Sequence, residues 1–304
     1  MRILITGACG LIGKKLAIYL SKNHDVFGVG RSICDDFEGE LPFCYYQIDL
    51  SKNNALVELK RIPKNVDLII HCAAQQPRMG LLYKDYKVGN LDTTRNIIEW
   101  AKSSKIKKMI SFSTAAFLDL PQENTGALTE FAGVSPLNNY ALSKMESEAY
   151  LKSSVKKYSL SIICFRLSSL VHEQQQGGVI YTYLNSALKN QDIEIYDQGR
   201  FMRNLIHIDS IVETIESSLD LIKNSKGFNL YNIGSKDSLT LLEIAEYIFN
   251  KTNSSGIIIP VDKVSRNSGH LNISVSKAIK DLNYNSWTSQ KILDTYISNI
   301  SSAN

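Results

Sequence analysis

The chain has 304 residues, 44% hydrophobic and 21% charged, and its formal net charge is only +4. Its lysines and arginines are scattered among the acids, so Lys107-Lys108 and Lys156-Lys157 read as solvated faces rather than the basic stripe that nucleic acid requires. No apolar run approaches the roughly 18 residues of a membrane span, and the apolar start at Met1 is too short for a signal peptide.

Five cysteines (Cys9, Cys34, Cys44, Cys72, Cys164) are an odd number with no C-x-x-C spacing. They imply neither a zinc site nor a disulfide framework, and read as reduced thiols of a cytoplasmic protein. A chain of this length forms one large domain or two, and buries roughly three quarters of its unfolded surface.

In chain order, 2–6 is a short β-branched strand followed at once by Gly7-Ala-Cys-Gly10-Leu11-Ile12-Gly13. An amphipathic helix over 14–23 and a strand over 25–30 come next. Strand, glycine turn, helix and strand within thirty residues is the setting of a dinucleotide-binding motif. Glycines there permit a tight turn and close backbone approach, and the helix N-terminus offers free N–H groups to a pyrophosphate. The spacing is G-x-x-G-x-x-G, not G-x-G-x-x-G. Where an NAD site places an acid after the second strand, this chain has Arg31-Ser32. A guanidinium suits a 2′-phosphate, which favours NADP(H) over NAD(H). NAD(H) stays open, with Arg31 stacked or solvated and Asp35 or Asp36 turned back to the ribose.

The alternation continues with a strand over 43–48 ending in Asp49-Leu50, a helix over 54–61, an apolar strand over 66–74, a helix over 93–102 and a strand over 108–114. Near-continuous apolar strands are those of a parallel sheet covered on both faces. His71 lies within one of them and reads as a buried core histidine. The expected fold is α/β: a Rossmann-type doubly wound parallel sheet over 1–165, with a smaller C-terminal substrate-binding α/β domain over 166–304. Segments around 203–215 and 229–235 are candidates to pack back onto the first. Asp209 reads as the N-cap of a following helix. Tyr284 and Trp287 read as packing residues.

A run without Gly or Pro carries Tyr140 and Lys144 four residues apart, on one helix face. An ammonium beside a phenol pulls its pKa down from about 10, and such a phenol can exchange a proton with a substrate hydroxyl. A lone Y-x-x-x-K is more often an exposed pair on an ordinary helix, so the surrounding pieces decide.

Those pieces are Thr6-Gly-Ala-Cys-Gly-Leu-Ile-Gly13, Asp49-Leu50, His71-Cys-Ala-Ala74, Asn90, Ser111-Phe-Ser-Thr114, Tyr140 to Lys144, Arg166, Tyr196-Asp-Gln-Gly199, Arg203-Asn-Leu-Ile-His-Ile-Asp209, Tyr231-Asn-Ile-Gly234 and Arg266. In this order they resemble the extended short-chain dehydrogenase/reductase family, whose members include nucleotide-sugar epimerases, dehydratases and reductases. The resemblance covers essentially the whole chain. It implies that Tyr140 is the general acid/base, that Lys144 lowers its pKa and bonds the nicotinamide ribose, and that Thr114 positions the reacting sugar oxygen. It also implies that Gly7, Gly10, Leu11, Ile12 and Gly13 face the pyrophosphate. Arg31 and Ser32 would lie at the adenosine ribose, Asp49 and Leu50 at the adenine, and Ala73 and Ala74 at the central ribose. Asn90 falls near a structural or proton-relay asparagine, and Arg203 and Arg266 match arginines that grip a diphosphate.

On the same footing, the partner is a nucleotide diphosphate sugar, the assembly a homodimer, and no metal is required. Thr114 is followed by Ala115-Ala116 where the dehydratases have an acidic pair, which speaks against 4,6-dehydration. Ser169-Leu-Val-His172 replaces the usual Asn-x-Tyr-Gly. The leading expectation is an NADP(H)-dependent oxidoreductase that reduces the C4 ketone of a 4-keto-6-deoxy nucleotide sugar for deoxysugar and polysaccharide precursors. The alternative is an NAD-dependent nucleotide-sugar 4-epimerase. A non-enzymatic redox sensor on the same fold is a third reading, disfavoured because both Tyr140 and Lys144 are kept.

Overall fold

The computed structural model describes residues 1–34, 41–264 and 269–303. Asp35, Asp36 and Arg266 lie outside the described residues. The chain forms two compact units. The first comprises Met1–Phe117, Pro136–Arg166 and Thr214–Tyr231; the second comprises Leu118–Ser135, Leu167–Glu213 and Asn232–Asn304.

The first unit is built on a seven-stranded parallel sheet. Its strands are β1 (Arg2–Thr6), β2 (Asp25–Gly30), β3 (Cys44–Gln47), β4 (Leu68–His71), β5 (Lys108–Thr114), β6 (Ser161–Leu167) and β7 (Gly227–Ile233). The order is β7-β6-β5-β4-β1-β2-β3. Ile3, Leu4 and Ile5 of β1 and Leu68, Ile69 and Ile70 of β4 are wholly buried, as expected of strands covered on both faces. Helices α1 (Leu11–Leu20), α2 (Thr93–Ser103) and α3 (Asn139–Tyr158) belong to this unit. Ile97, Ile98 and Trp100 of α2 and Leu151 of α3 share one apolar cluster with Leu4, Ile69 and Met109 of the sheet.

Several boundaries depart from the sequence expectation, each for a local reason. Helix α1 begins three residues earlier than 14, because the Lys14 N–H already bonds the Gly10 carbonyl at 2.7 Å. The 54–61 segment is one α turn, Ala55–Glu58, and a 3-10 turn, Leu59–Arg61; it stops at Ile62, whose extended backbone precedes Pro63. Helix α3 is capped by Asn138, whose Oδ1 accepts from the Ala141 N–H at 2.9 Å, and ends at Ser159 in the left-handed region.

The second unit has its own core, where Val171, Leu184, Ile195, Leu205, Ile248 and Leu293 meet. Helices α4 (Val179–Leu188) and α6 (Leu241–Lys251) supply much of it, the latter opened by a Thr240/Glu243 capping box. Between them in the chain, helix α5 (Ile208–Asn224) follows directly on the strand Leu205–His207. Asp209 is therefore not an N-cap: it lies in the first turn, with its carboxylate 3.3 Å from His207 Nδ1. Tyr284 and Trp287 do pack: the Tyr284 hydroxyl donates to the Gly234 carbonyl at 2.7 Å, and Trp287 stacks on His207.

The cysteines correct the expectation of reduced thiols throughout. Cys9 and Cys34 are joined in a disulfide, while Cys44, Cys72 and Cys164 are free. Spacing concealed the pair because, between them, α1 carries the chain away from the first turn and β2, parallel to β1, brings it back.

Candidate active site

The strand order reverses between β1 and β4, and in such sheets ligands gather at the carboxyl ends beside that reversal. The glycine turn sits there. Gly7 has φ +68°, in the left-handed region, and a Cβ on it would come within 2.8 Å of the Ala73 nitrogen. A Cβ on Gly13 would come within 2.1 Å of the Gly7 carbonyl oxygen. Gly10 donates to that same carbonyl at 2.8 Å and serves as N-cap of α1 without a side-chain cap. The first-turn N–H groups of Leu11, Ile12 and Gly13 are those a helix leaves to an anion. This cradle, closed to side chains and open to backbone approach, fits a dinucleotide pyrophosphate.

At the end of β2, the exposed Arg31 donates from Nη2 to Gln75 Oε1 at 3.3 Å. Two side chains of β3 hold this stretch: Gln47 Nε2 donates to the Arg31 carbonyl at 3.2 Å, and the Tyr45 hydroxyl to the Ser32 carbonyl at 2.6 Å. Asp49 is turned onto its own loop, accepting from the Ser51 N–H at 3.0 Å and hydroxyl at 2.6 Å. Leu50 is buried, and its carbonyl accepts from Asn96 Nδ2 at 2.8 Å. Ala73 and Ala74 follow β4, with the Ala73 N–H bonded to Thr6 Oγ1 at 3.2 Å. His71 is buried between Thr6 and Thr94, its Nδ1 2.7 Å from one hydroxyl and its Nε2 3.2 Å from the other.

Asn90 is buried within a π-helical stretch, Lys87–Asp92, a geometry that recurs at functional sites. Its Oδ1 accepts from the Gln75 N–H at 2.7 Å, and its Nδ2 donates to Ser143 Oγ at 2.8 Å. Ser143 in turn donates to the Tyr140 carbonyl at 2.8 Å. Hydrogen bonds thus connect Arg31, Gln75, Asn90 and Ser143 to the start of α3. Nothing in the sequence spacing of Gln75 or Ser143 marks them for this role.

Thr114 ends β5, and Tyr140 and Lys144 stand in the first turns of α3. The Thr114 side chain hydrogen-bonds the Tyr140 phenol, and the Tyr86 ring meets Tyr140 edge-on at 6.1 Å. Lys144 Nζ donates to the Phe112 carbonyl at 2.7 Å. Burial pushes the Tyr140 phenol up to about 12, with the Thr114 bond pulling the other way. That is opposite to the lowering the Tyr–Lys spacing suggests. Desolvation of a phenolate dominates, and the ammonium is engaged with a backbone carbonyl. Burial also lowers the Lys144 ammonium, against the opposing influence of Cys164, Glu148 and Cys72. Thr114, Tyr140 and Lys144 can together hold an oxygen atom and pass it a proton.

In the second unit Arg203 lines a cavity of about 340 Å³ with Tyr183, Tyr196 and Phe201. Its Nη1 donates to the Met202 and Gly269 carbonyls, each at 2.8 Å, which fixes the guanidinium. Among the described residues no cluster of His, Cys, Asp and Glu could hold a metal ion, and no helix is long and apolar enough to cross a membrane.

Residues 3–234 match the NAD dependent epimerase/dehydratase family. The chain is similar to the dTDP-4-dehydro-6-deoxyglucose reductase of Escherichia coli, 26% identical over 96% of this chain and 94% of that one. It is also similar to YtcB of Bacillus subtilis, described as an uncharacterized UDP-glucose epimerase, at 25% identity over 96% and 95%. With a dTDP-D-glucose 4,6-dehydratase of Dictyostelium discoideum it shares 28% identity over 82% of this chain, and spans 62% of that protein's length. Among solved structures, the UDP-glucuronic acid 4-epimerase of Bacillus cereus in complex with UDP-glucuronic acid and NAD superposes over 100% of both chains. The TM-score is 0.84 at 23% identity, a likeness of fold. With three quarters of its length matched, this chain belongs to the NAD dependent epimerase/dehydratase family.

Proposed function

We propose that this protein is an NADPH-dependent reductase acting on the C4 ketone of a nucleotide-activated 4-keto-6-deoxy sugar. The observation that carries the reading is the Thr114 side chain bonded to a Tyr140 phenol that burial keeps protonated. A phenol in that state is a proton donor, which is what ketone reduction requires of it. The backbone of Gly7, Gly10, Leu11, Ile12 and Gly13 would hold the pyrophosphate, Arg31 and Ser32 the 2′-phosphate, and Asp49 and Leu50 the adenine. Ala73, Ala74 and Asn90 would flank the central ribose, and Lys144 would bond the nicotinamide ribose. The nicotinamide supplies the hydride. Thr114 orients the carbonyl oxygen, and Tyr140 gives it a proton as it becomes an alkoxide.

Arg203 would neutralise the diphosphate of the sugar nucleotide, and the aromatic rings beside it would face the nucleoside. Arg31 supports NADPH, and Ala115-Ala116 after Thr114 speaks against dehydration. On this reading the protein would work as a homodimer, as the family resemblance implies.

A second reading, an NAD-dependent nucleotide-sugar 4-epimerase, rests on the shared fold of epimerases solved with NAD. That reaction would use the same Thr114, Tyr140 and Lys144, but with Tyr140 first taking a proton from the C4 hydroxyl, which a phenol held protonated by burial serves less well. A screen of nucleotide sugars with NADPH and NADH, read by NMR of the products, separates the two. Oxidation of NADPH only when a 4-keto sugar nucleotide is supplied supports the reductase. Bound NAD in the purified protein, with epimers interconverted without added cofactor, supports the epimerase.

A further inference from the structure

We infer that Cys9 and Cys34 form a reversible redox-modification site whose disulfide obstructs the adenosine end of the cofactor cradle. Cys9 stands in the glycine turn between Gly7 and Gly10, and Cys34 three residues past Arg31 on the stretch leaving β2. Their Cα atoms are 5.6 Å apart and their sulfurs are bonded. The Ala8 N–H, next to Cys9, bonds the Val29 carbonyl at 3.1 Å and pins the turn to β2. The bridge therefore runs from the floor of the phosphate cradle to the strand end that carries Arg31 and Ser32. On the cofactor reading proposed above, on which this inference rests, a bound dinucleotide spans those same two places with its adenosine ribose. Sulfur and ribose compete for one gap. Of the remaining cysteines, Cys72 precedes Ala73 beside the same turn, but burial pushes its thiol and that of Cys164 up and keeps both protonated, and Cys44 is exposed on β3.

Closure requires an oxidant, here a small-molecule disulfide of the glutathione type. One cysteine thiolate attacks it, forming a mixed disulfide and releasing one thiolate. The second cysteine then attacks the protein-side sulfur, closes Cys9–Cys34 and expels the second thiolate. Two protein thiols are oxidised to one disulfide, and the small disulfide is reduced to two thiols. A dithiol reductant runs the sequence backwards. In a reducing compartment such a bridge is transient rather than structural.

The test uses the full chain carrying Cys44→Ser, equilibrated in oxidising or reducing glutathione buffer. NADPH affinity is read by fluorescence titration, and the Cys9–Cys34 state by differential alkylation and peptide mass spectrometry. The reduced form should bind NADPH about tenfold more tightly or better, dithiothreitol should restore the oxidised form, and adding Cys34→Ser should give the reduced affinity in both buffers. Cys9→Ser provides a second variant with the same expected insensitivity. Equal affinity in the two states, or a redox response that survives Cys34→Ser, overturns the inference alone. A reduced protein that binds neither NADPH nor NADH overturns the cofactor reading and this inference together.

Discussion

Arg166 grips Glu148 with two prongs, Nη2 to Oε1 at 2.6 Å and Nε to Oε2 at 3.0 Å, inside the first unit. Glu148 stands one helical turn beyond Lys144 on α3, and the Arg166 guanidinium also lies 5.0 Å from the centre of the Phe117 ring. Both charges are largely out of water, so each replaces part of the solvation the other has lost. The pair closes β6 onto the helix that carries Tyr140 and Lys144.

Removing one partner should therefore cost far more than removing both. Glu148→Gln removes the charge that balances a buried guanidinium and should destabilise the fold by about 3–5 kcal/mol, seen as a lower urea midpoint. Replacing the pair with Glu148→Leu and Arg166→Met should cost less than Glu148→Gln alone. A double variant at least as unstable as the single would show that the pair's attraction, not its mutual solvation, is what matters.

Tyr140→Phe deletes the phenol proposed as proton donor while leaving the ring. Turnover should fall by about 10²–10⁴-fold with little change in NADPH affinity. Thr114→Val removes the hydrogen bond that pulls the phenol down. The Tyr140 pKa should then rise further, moving the alkaline limb of kcat/KM for reduction to higher pH. Turnover should fall too, because the substrate oxygen loses its guide. A limb displaced to lower pH would contradict the proton-donor role.

Local pattern exposed much of this site because local pattern builds it. Gly7, Gly10 and Gly13 announce a turn in which Gly7 and Gly13 leave no room for a Cβ, and the apolar 68–71 run buries His71 as its setting implies. Tyr140 and Lys144 share a helix whose cap and length are dictated within the segment itself. Other partnerships arise only from long-range closure. Arg31 meets Gln75 across 44 residues, Glu148 meets Arg166 across 18, and Cys9 meets Cys34 across 25. Nothing in a one-dimensional pattern chooses among the candidate partners for such side chains. Asp209 misled for a related reason: a residue that looks like a cap became a first-turn neighbour of His207 once strand and helix joined without a loop.

Arg31 sits at the end of β2, where its exposed guanidinium donates from Nη2 to Gln75 Oε1 at 3.3 Å and is within reach of a phosphate by a turn of the side chain. Arg31→Asp replaces an attractive charge with a repulsive one at a 2′-phosphate. NADPH affinity should fall about tenfold to a hundredfold while NADH changes little, measured by fluorescence titration of each. Equal losses for both would remove the basis for preferring NADPH.

Arg203 is already half desolvated, and burial lowers its pKa. Two backbone carbonyls fix its Nη1, so it is presented to the cavity in one orientation. Arg203→Met keeps much of the side-chain bulk and removes the charge. KM for the nucleotide sugar should rise about tenfold to a hundredfold, with kcat changed much less, because the contact is made equally in ground and transition states. A variant with unchanged KM would take the diphosphate away from this arginine.

His71 makes the stability of the protein depend on pH. Burial, with the Lys144 charge adding to it, lowers its pKa from 6.5 to about 3. Between those values the unfolded chain binds a proton that the folded one refuses. Stability is thus fully present above 6.5 and is lost as pH falls toward 3, with a slope of about 1.4 kcal/mol per pH unit. From pH 7 to pH 5 this single residue should remove about 2 kcal/mol. His71→Gln cannot titrate, so although it loses bonds to Thr6 and Thr94 and starts from a lower stability, its decline over the same interval should be smaller by that amount. Urea unfolding of both proteins at the two pH values measures the difference. Parallel declines would mean that the imidazole between the two threonines already carries a proton in the folded state.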